Sequence, residues 1–206
     1  MANEDLISDA TSCYAVRAKD GTAVEIGPIA DGEHAQLFPI FAGVVAAFEG
    51  YPHAPPLTRQ SYDQTFLEPV TIVVVARIDG RVAGAYYLKP NFLGRASHIA
   101  NAGYVVGAAF RSKGLGRLLV ADSIERAPLV GFDAIQFNLV FASNPARAMY
   151  RELGWQEVGV VPAAVDGEDA IIYHRFVGQT APTTGNPTTG NPTTGNPTTG
   201  KQTTGN

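Results

Sequence analysis

The chain has 206 residues, enough for one sizeable core and short for two, and its 45% hydrophobic and 17% charged content suits a globular domain. A formal charge of −4 argues against general nucleic-acid binding, which needs clustered basic residues, while leaving room for local cations around a phosphorylated ligand. Cys13 is the sole cysteine, so an intrachain disulfide and a cysteine metal cluster are both excluded.

The first residues have neither the basic n-region nor the apolar h-region of a signal peptide. No apolar run approaches the ~20 residues of a membrane span, so a cytoplasmic protein with no membrane partner is expected. Residues 1–12 are polar and read as a flexible start. Strands from Tyr14 to Ala18 and Thr22 to Ile26 flank Asp20-Gly21, whose tolerance of positive φ marks a tight hairpin. From Asp31 to Phe48 the apolar residues Leu37, Phe38, Phe41, Val44, Val45 and Phe48 recur at helical spacing, and a second helix is expected from Thr58 to Phe66.

The β-branched run from Thr71 to Ile78, the Asp79-Gly80 turn and the run from Arg81 to Leu88 predict a second hairpin. Lys89 to Arg95 reads as an excursion before a strand from Ser97 to Val106. A helix from Gly114 to Val130 follows, its last turn distorted by Pro128, then a strand from Ala134 to Phe141. A helix from Pro145 to Leu153 and strands from Trp155 to Val161 and Ala170 to Phe176 close the domain, taken as residues 13–178. The strand–helix–strand passage around Gly114 requires one parallel pair; hairpins account for the rest, and a mixed sheet with helices on both faces is the simplest α/β arrangement.

After Gln179 the unit Pro-Thr-Thr-Gly-Asn recurs from Pro182, Pro187 and Pro192 and, with its Asn replaced by Lys201, from Pro197, with a degraded copy from Gln202. The unit contains no large apolar residue, so stacked copies bury no core, and residues 179–206 are expected to be a disordered tail.

Two stretches carry chemistry. Arg111, Ser112, Lys113, Gly114, Leu115, Gly116 and Arg117 follow a strand and open a helix, where free N–H groups and the helix dipole make an anion site. Alone, Gly114-Leu-Gly116 fits an ordinary strand-to-helix turn equally well. It also competes with a dinucleotide fingerprint: Asp133 lies about where a ribose-binding acid belongs, but Leu119 stands where a packing glycine or alanine is needed. No Gly-Lys-Ser/Thr is present for a triphosphate loop. In the second stretch Asn144 and Pro145 start a helix that Gly154 stops. Tyr150 on that helix is either a half-buried aromatic or an acid for a departing thiolate; a phenol near pKa 10 donates to a thiol near 8.5 without a large shift.

Together, Arg111-x-x-Gly114-x-Gly116 after a strand, and Asn144 followed by Tyr150, Leu153, Gly154 and Trp155, resemble the GCN5-related N-acetyltransferase (GNAT) superfamily over about a third of the chain. A closer resemblance, carried by Tyr86 to Asn101, Ala127-Pro128, Gly131-Phe132 and Phe137-Asn138, is to yeast-type acetyltransferases acting on L-azetidine-2-carboxylate and related proline analogues.

The resemblance implies a mostly antiparallel mixed sheet whose central parallel strands splay around the pantetheine of acetyl-CoA, with no metal. Backbone groups of Tyr104, Val105 and Val106 would hold pantetheine and polarise the acetyl carbonyl, amides of Ser112 to Arg117 the pyrophosphate, and Asn144 the cofactor. Asn101 would orient the acceptor, Asn138 would lie beside acceptor or thioester, and Tyr150 would be the general acid. The implied reaction is direct attack of a neutral amine in a ternary complex, without an acyl-cysteine, in a homodimer. The base is left open, His98 being a candidate by chemistry. Two alternatives stand beside the small amine or imino acid: another amine, antibiotic or protein N-terminus as acceptor, and a non-catalytic acyl-CoA sensor.

Overall fold

The structure, a computed structural model, describes residue 7 and residues 9–178; the repeat tail lies outside the described residues. Its strands are β1 (Tyr14–Arg17), β2 (Ala23–Pro28), β3 (Ile72–Ile78), β4 (Arg81–Pro90), β5 (Ile99–Val106), β6 (Ala134–Phe141), β7 (Gln156–Val165) and β8 (Glu168–Phe176). Helices are α1 (His34–Ala46), α2 (Arg59–Phe66), α3 (Leu115–Leu129) and α4 (Arg147–Glu152). One sheet runs β1-β2-β3-β4-β5-β6-β8-β7, antiparallel at every step except β5–β6, where the crossover through α3 forces a parallel pair.

The Asp-Gly turns fix the hairpins. Asp79 and Gly80 both have positive φ (50° and 70°), the backbone that a tight two-residue β-turn demands. Asp166 and Gly167 repeat this at the β7–β8 junction (51° and 85°). There the expected strands, ending at Val161 and restarting at Ala170, continue to a closed hairpin. The Asp-Gly signal at 166–167 lies within a stretch that reads as loop.

Strand β4 is central and buried on both faces. Its register against β3 slips at Ala76/Arg77, leaving Ala83 as the extra residue of a bulge. Val82, Ala85 and Tyr87 then face α1 and α2, and Ala83, Tyr86 and Leu88 face α3. Contrary to the expected excursion, Lys89 and Pro90 stay in β4, paired with Asn101 and Ala100. Pro90 is tolerated because β3 ends opposite Leu88, so its missing N–H faces no ladder.

Two apolar layers sandwich the sheet. Leu37, Phe41 and Val45 of α1 and Tyr62 and Phe66 of α2 pack on one face. Leu115, Leu119 and Ile124 of α3, with Tyr150 and Trp155, pack on the other. Arg126 and Asp122 are fully buried there as an ion pair (3.0 Å), and Tyr86 Oη donates to Asp122 at 2.5 Å. Arg126 also donates to the carbonyls of Ala10 and Ser12, so the fold takes in residues before Cys13 that read as a flexible start.

Helix α4 is shorter than expected. Asn144 accepts from the Ala146 amide (2.9 Å) in a turn before the helix, and Ala146 is the N-cap residue, without a side-chain cap. No helix among the described residues is long and apolar enough to cross a membrane.

Candidate active site

Strands β5 and β6 pair over only three positions, Ile99–Ala134, Ala100–Ile135 and Asn101–Gln136, and then part. One edge of β5 stays bonded to β4 up to Val106, while the other loses its strand neighbour after Asn101. A cleft of about 730 Å³ opens in the gap. Backbone polar groups along the freed edge of β5 need partners and are available to a ligand lying between the strands.

On the far wall, β6 pairs with β8 at Phe137–Tyr173 and resumes at Val140–Ile171. This bulge pushes Asn138 and Leu139 out of the ladder and exposes them. Asn138 exchanges two amide hydrogen bonds with Asn91 (2.7 and 3.2 Å). Asn101 sits at the fork: its Nδ2 donates to the Gln136 carbonyl (3.1 Å) and its Oδ1 accepts from Tyr87 Oη (3.1 Å). Tyr104, Val105, Val106, Arg111, Asn144 and Tyr150 also line the cleft. Tyr104 turns its hydroxyl to Ser123 (2.8 Å), which leaves its backbone as the part that faces a ligand.

Tyr150 is 7% exposed, its ring packed on Phe137 and Tyr173. Its hydroxyl has no hydrogen-bond partner among the described residues, and burial pushes its pKa up to about 12. The phenol is therefore a permanent donor at neutral pH and a weaker acid than free tyrosine.

The anion end lies at α3. Ser112 (φ 63°) and Gly114 (φ 84°) are both left-handed, which winds the chain so that successive amides can converge. Amides from Ser112 to Gly116 donate to nothing among the described residues, whereas the Arg117 amide is already bonded to the Gly114 carbonyl (3.1 Å). Leu115 buries its side chain in the core, so only its backbone can serve. The expected cations are not free. Arg111 pairs with Glu49, Lys113 with Asp20 (2.7 Å) and Arg117 with Glu152 (2.7 Å), all at least partly exposed.

His98, the candidate base, is exposed, bonded to the Arg95 carbonyl (3.1 Å), and does not line the cleft. The histidine that does is His53, in the loop between α1 and α2, with Tyr51 beside it. A Cβ on Gly103 would meet Tyr51 Oη at 2.5 Å and Tyr87 Oη at 2.8 Å, so both hydroxyls close over this β5 residue. Tyr51, His53 and Tyr87 are not legible as site residues in the sequence. The one signal for Tyr51 and His53 is the aromatic content of a loop between helices, while Tyr87 reads as an ordinary residue of β4.

Residues 38–155 match the Acetyltransferase (GNAT) family. The chain belongs to this GNAT family. Its GNAT-like stretches contribute Arg111, Asn144 and Tyr150 to the lining of one cleft. The chain is 34% identical over 131 residues to the N-acetyltransferase aca1 of Schizosaccharomyces pombe, covering 55% of this chain and 63% of that protein. It thus spans less than two thirds of that relative, and 13% of Protein SPT10 of Saccharomyces cerevisiae, to which it is 32% identical over 82 residues. The structure of a GCN5-related N-acetyltransferase from Kribbella flavida is similar with a TM-score of 0.69 at 32% identity, covering 74% of this chain and 97% of that one. At 17% identity, yncA of Salmonella typhimurium, solved with its cofactor acetyl-CoA, shares the fold (TM-score 0.67; 77% of this chain and 96% of that one).

Proposed function

We propose that this GNAT protein is an acetyl-CoA-dependent N-acetyltransferase that acetylates the nitrogen of a small cyclic imino acid of the proline-analogue type. The observation that carries the reading is the parting of β5 and β6, which frees one edge of β5 beyond the Asn101 fork in a cleft that Arg111 also lines, at the start of the stretch whose amides 112–116 are unbonded. The residues fit acetyl-CoA, consumed here as a substrate. Amides of Ser112 to Gly116 hold its pyrophosphate, helped by Arg111 and Lys113 once their carboxylate partners are displaced. The freed edge of β5 from Tyr104 to Val106 binds pantetheine and supplies N–H groups to the thioester oxygen. Asn144 holds the cofactor across the gap, its Nδ2 lying 3.8 Å from where a Cβ on Gly50 would stand.

Attack by a neutral amine puts negative charge on the thioester oxygen, and fixed backbone donors stabilise it without reorganisation. Coenzyme A leaves as a thiolate, with Tyr150 donating a hydrogen bond. Asn101 orients the acceptor at the fork, and Asn138 stands opposite on the bulge. A carboxylate on the acceptor is favoured by Lys89, which pairs in register with Asn101 and holds its Nζ 4.9 Å from the Tyr87 ring centre.

The test is coenzyme A release from acetyl-CoA with azetidine-2-carboxylate, cis-4-hydroxyproline, proline and several primary amines. Turnover confined to the imino acids, with KM raised by Asn101→Ala and by Lys89→Met, is the expected result. Turnover with primary amines alone removes the acceptor class. Tight acetyl-CoA binding without turnover on any amine overturns the enzymatic reading in favour of a sensor.

A further inference from the structure

The GNAT reaction needs an uncharged amine, yet imino acids and aliphatic amines are ammonium ions at neutral pH. Something in the cleft must take a proton. Among the described histidines, His53 is the one that lines the cleft, its ring edge-on to Phe41 at 5.2 Å and 5.9 Å from Tyr51.

Its hydrogen bonds fix its tautomer. Thr65, buried on α2, has one hydroxyl hydrogen and gives it to the Ser61 carbonyl (2.7 Å), which can only accept. Thr65 Oγ1 also lies 3.2 Å from His53 Nε2, so Nε2 must carry a hydrogen and donate it. Nδ1 is then the lone-pair nitrogen. It is buried, and no group among the described residues bonds it. An unpartnered buried acceptor is costly to a fold, which marks it as one whose partner arrives with a ligand.

We infer that His53 Nδ1 is the general base for the acceptor nitrogen, with Thr65 the positioning residue that holds the reactive tautomer. This assignment rests on the acetyltransferase reading. The acceptor ammonium gives one proton to Nδ1, leaving an imidazolium and a neutral amine. The nitrogen pair attacks the thioester carbon, the C–S bond breaks, and the amide nitrogen sheds its remaining extra proton to the departing thiolate or to water. The groups around His53 agree with the role. Burial first, and then the positive charge of Lys89 on β4, hold its pKa below the ordinary imidazole value. Tyr51, on the same loop, has its own pKa raised by burial and stays neutral. Thr65 and Phe41, from α2 and α1, carry no charge.

The experiment is the pH profile of kcat/KM for azetidine-2-carboxylate, or for a primary amine such as phenylethylamine if wild type turns over that class instead, in wild type, His53→Gln and Thr65→Val. The amide introduced by His53→Gln can keep a donor to Thr65 while lacking the basic ring nitrogen. Wild type should be flat from about pH 7 to the acceptor's own pKa. His53→Gln should lose about 10²- to 10⁴-fold at pH 7 and regain tenfold per pH unit, approaching wild type once the free amine predominates. Thr65→Val should fall between them. A His53→Gln profile parallel to wild type would overturn the assignment alone; no coenzyme A release by wild type with any amine would overturn it together with the acetyltransferase reading. Nitrogen NMR of wild type is independent of turnover and of whether the variants fold: an Nε2–H tautomer is expected, and an Nδ1–H tautomer would sink the idea.

Discussion

Replacing Tyr150 by Phe separates the catalytic from the structural content of one side chain. The ring is held by Phe137 at 5.0 Å, Tyr173 at 5.6 Å and Trp155 at 6.2 Å, and Phe preserves all three contacts. The hydroxyl has no protein partner among the described residues, so its loss breaks no hydrogen bond in the free enzyme, and stability should change by no more than about 0.5 kcal/mol. The kinetic effect follows from the raised pKa. At about 12, the phenol lies roughly 3.5 units above a thiol near 8.5, so complete proton transfer to the thiolate is uphill by about 5 kcal/mol. In the proposed reaction Tyr150 would therefore act by donating a hydrogen bond to the forming anion, an interaction of about 1.5–3 kcal/mol. Single-turnover rates should fall about 10- to 150-fold with acetyl-CoA affinity unchanged. A variant with the wild-type chemical rate, or one whose loss tracks a fall in melting temperature, would refute the reasoning.

Gly103→Ala should raise the acceptor KM at least about tenfold, because a Cβ there collides with Tyr51 and Tyr87, while acetyl-CoA binding by calorimetry stays near wild type. Glu49→Gln should tighten coenzyme A binding by up to about fivefold at low salt, since it frees Arg111 from an exposed ion pair; unchanged affinity would mean that Arg111 does not reach the pyrophosphate. Arg126→Met should destabilise the fold by about 3–5 kcal/mol in urea titration, because it strands the buried Asp122 carboxylate. Alkali should unfold the protein early. Tyr87 and Tyr150 are both held at about 12, so their stabilisation is complete below pH 10 and is lost as pH rises from 10 to 12, by up to about 3 kcal/mol each. A melting temperature flat across that window would contradict the burial of both phenols.

Much of this is legible in the sequence because local chemistry and global fold agree. Asp79-Gly80 admits the backbone of a two-residue hairpin, and the helix opening at Gly114 after a strand forces the single parallel pair. Asn101, Asn138, Asn144 and Tyr150 all reach one cleft, since each sits at the end or inner face of an element that the sequence defines. The illegible part depends on distant contacts. Nothing local says that Asn138 lies on a bulge, because the bulge is a mismatch with β8. Nothing local brings Tyr51 over Gly103 or His53 to the cleft either, since a loop's landing place is set by the helices it joins. The ion-pair partners of Arg111, Lys113 and Arg117 are equally illegible, because Glu49, Asp20 and Glu152 lie 62, 93 and 35 residues away.

The fork at Asn101 has a mechanical side. Three residue pairs are all that stitch β1–β5 to β6–β8 in the sheet, so the protein is two half-sheets sharing a short seam. A ligand in the gap would bond both halves and lengthen that seam, as a strand between them would. If acetyl-CoA binds there as proposed, it would be a structural member for as long as it stays bound. Its departure as coenzyme A would then loosen the joint that aligned the reacting groups and couple product release to breathing of the sheet. Hydrogen exchange at Tyr104, Val106 and Val140 should register this opening ahead of any change in the hairpins at the sheet's edges.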